Sequence, residues 1–395
     1  MPLALWALTI SAFAVGTTEF VIVGLIPTIA ADLGVSLPSA GLLVSLYALG
    51  VTIGAPVLTA LAGRVPRKTL LLALLVLFIA GNAFAAVAPG YNSLIAARFL
   101  TGLAHGVFFA IASTIATDLV SRDRESSAIA MVFLGLTVAL VTGVPLGTWI
   151  GQSFGWQSTF LGVVALGLVG LVASALLVPA TLRQGEAPGL RAQARVLTEP
   201  RLLLVYLITA VGYGGNFIAF TYLAPMLTDV TGLGTGAVSL VILLYGASVA
   251  VGNIVGGKLA DRMGAIPALT LIFVGLSAVL LALGLVLTSP LATIAVIAIW
   301  GGFAFANVPP LQVYTVQIAR EVAPDAVDVA SGLNIGAFNL GIALGAWAGG
   351  VSVDTLGLAA APYLGAAVVA GGIRLTRLSG RLDRRAGATR PVAAE

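Results

Sequence analysis

Long apolar stretches alternate with short polar gaps along the whole chain. A helix needs about 20 apolar residues to cross a hydrocarbon core about 30 Å thick. Twelve stretches of that length predict spanning helices, at residues 3–30, 38–62, 69–88, 92–117, 126–150, 157–179, 201–227, 236–258, 267–288, 291–318, 327–350 and 356–375. The first reads as a span rather than a removed leader, because no basic residue precedes it and Glu19 interrupts its apolar run. Most gaps are short. The exception is residues 181–200, where Arg183, Gly185, Glu186, Pro188, Gly189, Arg191 and Arg195 break the pattern. The expected architecture is an all-α integral membrane protein with an N-terminal six-helix bundle (1–180) and a cytoplasmic linker (181–200). A C-terminal six-helix bundle (201–378) and a mobile, Arg- and Ala-rich tail (379–395) follow.

Charge placement orients these spans. Of the 19 Lys and Arg residues, 18 fall in or at the borders of the gaps after even-numbered spans or at the C-terminal end, and the remaining one, Arg98, lies deep inside a span. Basic residues collect on the cytoplasmic side of a membrane. The expectation is a multi-pass protein of the plasma (cytoplasmic or inner) membrane with both termini in the cytoplasm. Composition narrows the function. The chain is 59% hydrophobic and only 9% charged, which excludes an ordinary soluble protein. It has no cysteine and one histidine, which removes thiol chemistry and the usual metal-ligand sets. The net charge of +4 reflects membrane topology, so nucleic acid is not an expected partner.

The two halves repeat at an offset of 198 residues. Gly16 falls on Gly214, Pro27 on Pro225, Tyr47 on Tyr245, Gly54 on Gly252 and Arg64 on Arg262. Gly143, Gly147, Trp149 and Gly151 fall on Gly341, Gly345, Trp347 and Gly349. Six spans return the chain to its starting side, so the halves run parallel. Such repeats place a substrate site in a central cavity between the halves, near the bilayer midplane.

Three ionisable residues, one carboxylate, one arginine and the histidine, lie well away from the ends of spans. Glu19 is about midway along the first helix, where an ionised carboxylate is costly and marks function by default. It reads as a proton-coupling carboxylate. Arg98 stays charged, so it serves either to control that acidic site or to clamp helices through backbone carbonyls. Counted inward, it should lie nearer the outer face than Glu19. His105, two turns further along the same helix, sits at the depth of Glu19, either shuttling protons or bonded neutrally to a hydroxyl. The glycines of the fifth and eleventh spans, with Pro145, recur every fourth residue and predict close helix packing. Such a seam would also let the halves rock.

Gly252-Asn253-Ile254-Val255-Gly256-Gly257-Lys258-Leu259 nearly spells a phosphate loop. Leu259 stands where Ser or Thr is needed, and no strand precedes it. ATP is not indicated, and no cofactor is expected. There is no second mid-membrane carboxylate, no pair of histidines and no cysteine, so an intramembrane enzyme is not expected either.

Together the twelve spans, the repeat and the basic gap after the second span resemble the major facilitator superfamily. Gly257, Leu259, Ala260, Asp261, Arg262 and Gly264 match its cytoplasmic signature, whereas the first half has Gly63 in place of the aspartate. Arg98-Phe99-Leu100-Thr101-Gly102 matches its fourth-helix motif, and Gly143 to Gly151 resembles the Gly-Pro motif of proton-coupled exporters. Gly16-Thr17-Thr18-Glu19-Phe20 and Ala104-His105-Gly106 resemble the drug/proton antiporter group of arabinose-efflux-like, purine-nucleoside-efflux-like and chloramphenicol-exporter-like proteins. The resemblance implies a monomeric exporter of small molecules, driven by a proton gradient through alternating access. Drugs or amphipathic compounds are the implied substrates, with sugars or purine nucleosides as the alternative. It implies a cytoplasmic gate at Arg64, Arg67, Lys68, Asp261 and Arg262. It also implies a cavity lined by Phe108, Phe109, Tyr213, Asn216, Phe217, Phe220, Tyr222, Trp300, Phe303 and Asn307, with Asn334 and Asn339 as weaker candidates.

Overall fold

The computed structural model describes residues 2–61, 65–121, 124–180 and 195–388. Among these residues there is no strand, and twelve helices are long and apolar enough to cross a membrane. Hydrocarbon offers backbone groups no partner, and a helix pairs them internally. In chain order the helices are α1 Leu3–Leu33, α2 Leu37–Leu61, α3 Arg67–Ala86, α4 Tyr91–Asp118, α5 Ala128–Phe154 and α6 Trp156–Leu177. The second six are α7 Pro200–Val230, α8 Thr235–Met263, α9 Ala265–Val286, α10 Pro290–Val322, α11 Val327–Leu356 and α12 Ala361–Ala388.

Proline sets the irregularities. A π-helical turn, Ala139–Gly143, precedes Pro145 in α5, and another, Met226–Val230, follows Pro225 in α7. A proline lacks the N–H that would continue the ladder. Helix α10 breaks at Phe305–Asn307, just before Pro309 and Pro310.

The glycine spacing produces the same packing twice. In the first half Gly50 and Gly54 let α2 approach the backbone of α4 at Phe99, Gly102 and Leu103. In the second, Gly252 and Gly256 let α8 approach α10 at Gly302 and Ala306. The stripe of α5 lies on α1, with Gly143 against Thr17, Gly147 against Val21 and Gly151 against Leu25. The stripe of α11 lies on α7, with Gly341 against Ala210, Gly345 against Gly214 and Gly349 against Ile218. The close packing expected of the stripes therefore lies within each half, and a seam on which the halves could rock lies elsewhere. Spacing fixes how closely a helix is approached but not by which neighbour, and here the neighbour lies within the same half.

The seam itself is built from α2 against α11 and α5 against α8. Gly246 of α8 sits against the backbone of Leu140 and Val141, at the π turn of α5. The Ser239 hydroxyl reaches Gln152 Oε1 at 3.2 Å, and Thr52 donates to the Gly336 carbonyl at 3.3 Å. The Tyr222 hydroxyl closes over Gly41 and Gly350.

These contacts are unevenly distributed in depth. An even number of spans puts both chain ends on one face, here called the basic face. Toward the opposite face one hydrophobic core runs through both halves, joining Phe20 to Ala30, Leu43 and Leu140 with Phe217, Ile242, Trp300 and Ala346. Toward the basic face the core divides. One cluster belongs to the first half (Leu5, Leu8, Leu74, Phe108, Ile115, Val132) and another to the second (Val196, Leu202, Tyr314, Ile318, Ala330). The molecule is thus closed at the face remote from its termini, and its two halves have separate cores at the basic face.

Helix α12 extends further than the sequence pattern implies. It continues to Ala388, so residues 379–388 of the expected mobile tail are helical. Arginine and alanine are good helix formers, and the extension is anchored. Tyr314 accepts from Ser379 at 2.6 Å and donates to Asp383 at 2.5 Å. Arg201, at the start of α7, bonds Asp383 at 2.8 Å and Glu321 at 2.9 Å.

Candidate functional site

Where the single core divides, three helices bring together a buried polar cluster. Glu19 comes from α1, Tyr47 from α2, and Arg98 and His105 from α4, and all four are buried. The Arg98 guanidinium binds the backbone of α1. It donates to the Thr18 carbonyl at 2.8 Å, to Thr18 Oγ1 at 3.3 Å and to the Glu19 carbonyl at 3.4 Å. It also donates to the Leu43 carbonyl of α2 at 3.4 Å. Its guanidinium carbon lies 4.0 Å from the centroid of the Tyr47 ring, a cation–π contact. Thr18 in turn donates to Asn82 of α3 at 2.6 Å, and Asn82 donates to the Phe78 carbonyl at 2.8 Å. The Arg98 guanidinium thus clamps helices through backbone carbonyls. One charged fork ties α1 to α2 and α4, and it meets the backbone of Glu19.

The Glu19 side chain points toward His105, with Oε2 4.0 Å from Nδ1. The two side chains are 7% and 5% exposed, so each retains a sliver of accessible surface. The ordering in depth explains the division of partners. A helical side chain leans toward its own N-terminus, so the Glu19 carboxylate leans to the basic face and Arg98 away from it. The carboxylate is therefore left to His105, two turns further along α4. Tyr47 completes the group, its hydroxyl 2.9 Å from His105 Nδ1.

Across from this cluster the second half presents aromatic rings. Phe20, next to Glu19, packs at 6.2 Å from Phe217, 6.5 Å from Phe220 and 6.0 Å from Phe305. Tyr213 packs on Phe305 and Phe338 at 5.3 and 4.9 Å. Phe220 stacks on Tyr245 at 4.8 Å, and Trp300 closes on Tyr245 at 5.1 Å while donating to Asn216 Oδ1 at 2.7 Å. At the 198-residue offset Glu19, Arg98 and His105 correspond to Phe217, Val296 and Phe303. The repeat has kept its scaffold, and Glu19, Arg98 and His105 have no ionisable counterpart in the second half.

Other expected residues lie elsewhere. Phe108 belongs to the core of the first half alone. Phe109 packs on His105 at 5.1 Å and borders the polar cluster. Tyr222 sits in the closed seam, where its hydroxyl donates to the Ala346 carbonyl at 3.3 Å. Phe303 packs against Gly275 of α9, away from the centre. Asn307 uses its amide N–H to hold the α10 break, donating to the Ala304 carbonyl at 3.0 Å. Asn334 is engaged by Thr209 and Gln312 at 2.7 and 2.8 Å, and Asn339 bonds the Ile335 carbonyl at 3.1 Å. Of the gate residues, Arg64 lies outside the described residues. Arg67 pairs with Asp118 and Lys68 donates to the Ala175 carbonyl at 2.8 Å, both within the first half. Asp261 and Arg262 are exposed. Neither Arg67 nor Lys68 is shown bonding to the second half, in keeping with the separate cores there. Asn82, Phe305 and Phe338 join the site with no signal in the sequence, Thr18 and Phe20 stand out there only as part of a motif, and Tyr47 and Tyr245 only as markers of the repeat.

A chain of twelve apolar helices in two repeated sets, with polar chemistry buried where the sets part, has the construction of a membrane transporter. The family model of the Major Facilitator Superfamily matches residues 8–346, and the chain belongs to that family. It is 49% identical over 382 residues to the uncharacterized MFS-type transporter YtbD of Bacillus subtilis, covering 97% of this chain and 96% of that protein. It is 38% identical over 380 residues to the inner membrane transport protein YdhP of Escherichia coli strain K12, covering 95% and 96%. It is 38% identical over 313 residues to a chloramphenicol resistance protein of Streptomyces lividans, covering 78% and 79%. The protein is thus a multi-pass transporter and not an enzyme.

Proposed function

We propose that the protein is a secondary exporter that exchanges an inward-moving proton for an outward-moving small, uncharged or amphipathic molecule. The observation that carries this reading is the Glu19 carboxylate, buried at the point where the two halves part, with His105 4.0 Å away. A carboxylate there is costly unless it is used, and a group that binds either a proton or a substrate couples the two. On this reading the basic face is the cytoplasmic one, which its arginines support, the conformation described here is cytoplasm-facing, and the membrane is the inner one. A cytoplasmic substrate arriving at the aromatic wall displaces the proton from Glu19. The loaded protein then closes at the cytoplasmic face and opens outward. Aromatic rings with few polar groups suit an amphipathic ligand, and the Streptomyces lividans relative is a chloramphenicol resistance protein.

A sugar or purine nucleoside is the second reading. It is favoured by buried amide atoms without a hydrogen-bond partner, Asn216 Nδ2, Asn307 Oδ1 and Asn339 Oδ1. Proteoliposomes with an acidic lumen and the cytoplasmic face outward separate the readings. Phenicols, amphipathic cations, pentoses and purine nucleosides are added outside while a lumenal dye reports pH. Alkalinisation by phenicols or amphipathic cations is expected. Alkalinisation by pentoses or nucleosides alone would select the second reading, and no response to a compound that binds would count against proton antiport.

Alternating access makes a further prediction. The chain has no native cysteine, so Gln152→Cys with Ser239→Cys supplies a clean pair at the closed face, where the native side chains are 3.2 Å apart. A short thiol-reactive linker should join them in high yield and stop transport. The yield is read on a gel after cutting a protease site inserted in the loop between α6 and α7. High-yield linkage with full transport would contradict rocking about this seam.

A further inference from the structure

The single histidine of the chain stands between two groups that compete for one nitrogen. His105 Nδ1 is 2.9 Å from the Tyr47 hydroxyl and 4.0 Å from Glu19 Oε2. The first distance is a hydrogen bond and the second is not. A neutral imidazole has one N–H donor and one acceptor nitrogen, so the Tyr47 contact determines what His105 can do for Glu19.

The direction of that bond follows from accounting for protons. Tyr47 is 1% exposed, and its hydroxyl hydrogen needs an acceptor. Among the described residues His105 Nδ1 is the acceptor within reach. Were Nδ1 the donor, the phenol hydrogen would be buried without a partner. With Tyr47 donating, Nδ1 offers its lone pair and the proton resides on Nε2. The Tyr47 ring is itself fixed, because Arg98 lies 4.0 Å over its face and is anchored to the carbonyls of Thr18 and Glu19. The charged and titratable groups around the imidazole are therefore Glu19 from α1, Tyr47 from α2, Arg98 from α4 and, across the seam, Tyr213 from α7, which lies within electrostatic reach of Glu19.

We propose that Tyr47 is a positioning residue for the proton site: by donating to His105 Nδ1 it keeps the imidazole neutral and withholds it from Glu19. Without the hydroxyl, Nδ1 is free to take the carboxylic proton. The Glu19 O–H bond breaks, an N–H bond forms, and an internal imidazolium–carboxylate pair holds the proton that substrate must displace. Tyr47 thus keeps the Glu19 proton exchangeable. This consequence for transport rests on the proton-antiport reading above, whereas the protonation pattern of His105 does not.

A chain with one histidine allows a direct test. Full-length protein labelled with 13C,15N-histidine in lipid nanodiscs gives one pair of ring nitrogen resonances, whose shifts report protonation and whose correlations to Cγ and Cδ2 tell Nδ1 from Nε2. The wild type is expected to show protonated Nε2 and a hydrogen-bonded, unprotonated Nδ1. Tyr47→Phe keeps the ring under Arg98 and removes only the hydroxyl. Its imidazole is expected to become doubly protonated, and the Tyr47→Phe/Glu19→Gln double variant is expected to return to neutral. In proteoliposomes Tyr47→Phe should slow coupled transport about tenfold, as for a proton held about 1.4 kcal/mol more tightly. A wild-type Nδ1 that carries the proton overturns the proposal, even if Tyr47→Phe fails to fold. A neutral imidazole in folded Tyr47→Phe overturns it as well. If the resonances behave as expected while Glu19→Gln still couples protons, the antiport reading fails and the assignment of Tyr47 to His105 stands.

Discussion

Replacing Glu19 by Gln is expected to abolish compound-driven proton movement while leaving the protein folded. The amide keeps the volume and polarity of the carboxyl group but binds no exchangeable proton. The fold should tolerate it, because the contacts that hold α1 in place run through backbone carbonyls. Arg98 binds the carbonyls of Thr18 and Glu19, not the Glu19 carboxylate. The variant should therefore unfold within about 1 kcal/mol of the wild type, the range of a well-accommodated polar replacement. It should also retain downhill exchange of substrate for substrate, which needs alternating access but no net proton. Proton-driven transport surviving at the wild-type rate would remove Glu19 from the mechanism.

Arg98→Ala should produce the largest loss of stability of any single change in the cluster. It deletes charge-assisted contacts to three carbonyls on two helices, of which the 2.8 Å bond to Thr18 contributes about 1.5–3 kcal/mol and the two 3.4 Å contacts less. It also deletes the face-on contact with Tyr47 and leaves a cavity where one of the largest fully buried side chains stood. Since these terms are not additive, the expected destabilisation is at least about 3 kcal/mol. Arg98→Lys should recover only a small part of it, since an ammonium keeps the charge but lacks the planar fork that spans α1 and α2. Unfolding in mixed micelles, followed by tryptophan fluorescence, measures both. Arg98→Ala within about 1 kcal/mol of the wild type would mean that the clamp does not hold the first half together.

Much of this architecture was legible in the sequence for a specific reason. Lipid forces a spanning segment to be long, apolar and helical, so the twelve helices could be bounded within a few residues over most of the chain. The meeting of Glu19 and His105 was legible through depth, since antiparallel helices bring equal distances from the two faces together. Tyr47 was not. A tyrosine in an apolar helix reads as packing, and nothing local shows that its ring lies under an arginine. The repeat held a usable signal. Tyr47 and Tyr245 share a position, yet their surroundings differ because Arg98 and His105 correspond to Val296 and Phe303. The partner of a glycine stripe was equally hidden, because spacing gives the closeness of a contact and not its address. The extension of α12 was missed because an Arg-rich end was read as solvated tail, whereas Asp383 supplies Arg201 and Tyr314 with a partner.

If substrate and proton exclude each other at Glu19, binding of one must release the other, and a proton count on binding tests that exclusion. Purified protein in weakly buffered detergent solution is titrated with chloramphenicol and then with the rest of the compound panel. Binding is followed by tryptophan fluorescence and protons by an indicator dye. For a compound that binds, the account predicts release of a proton from the wild type near neutral pH and none from Glu19→Gln. Saturable binding to the wild type with no proton released would contradict it.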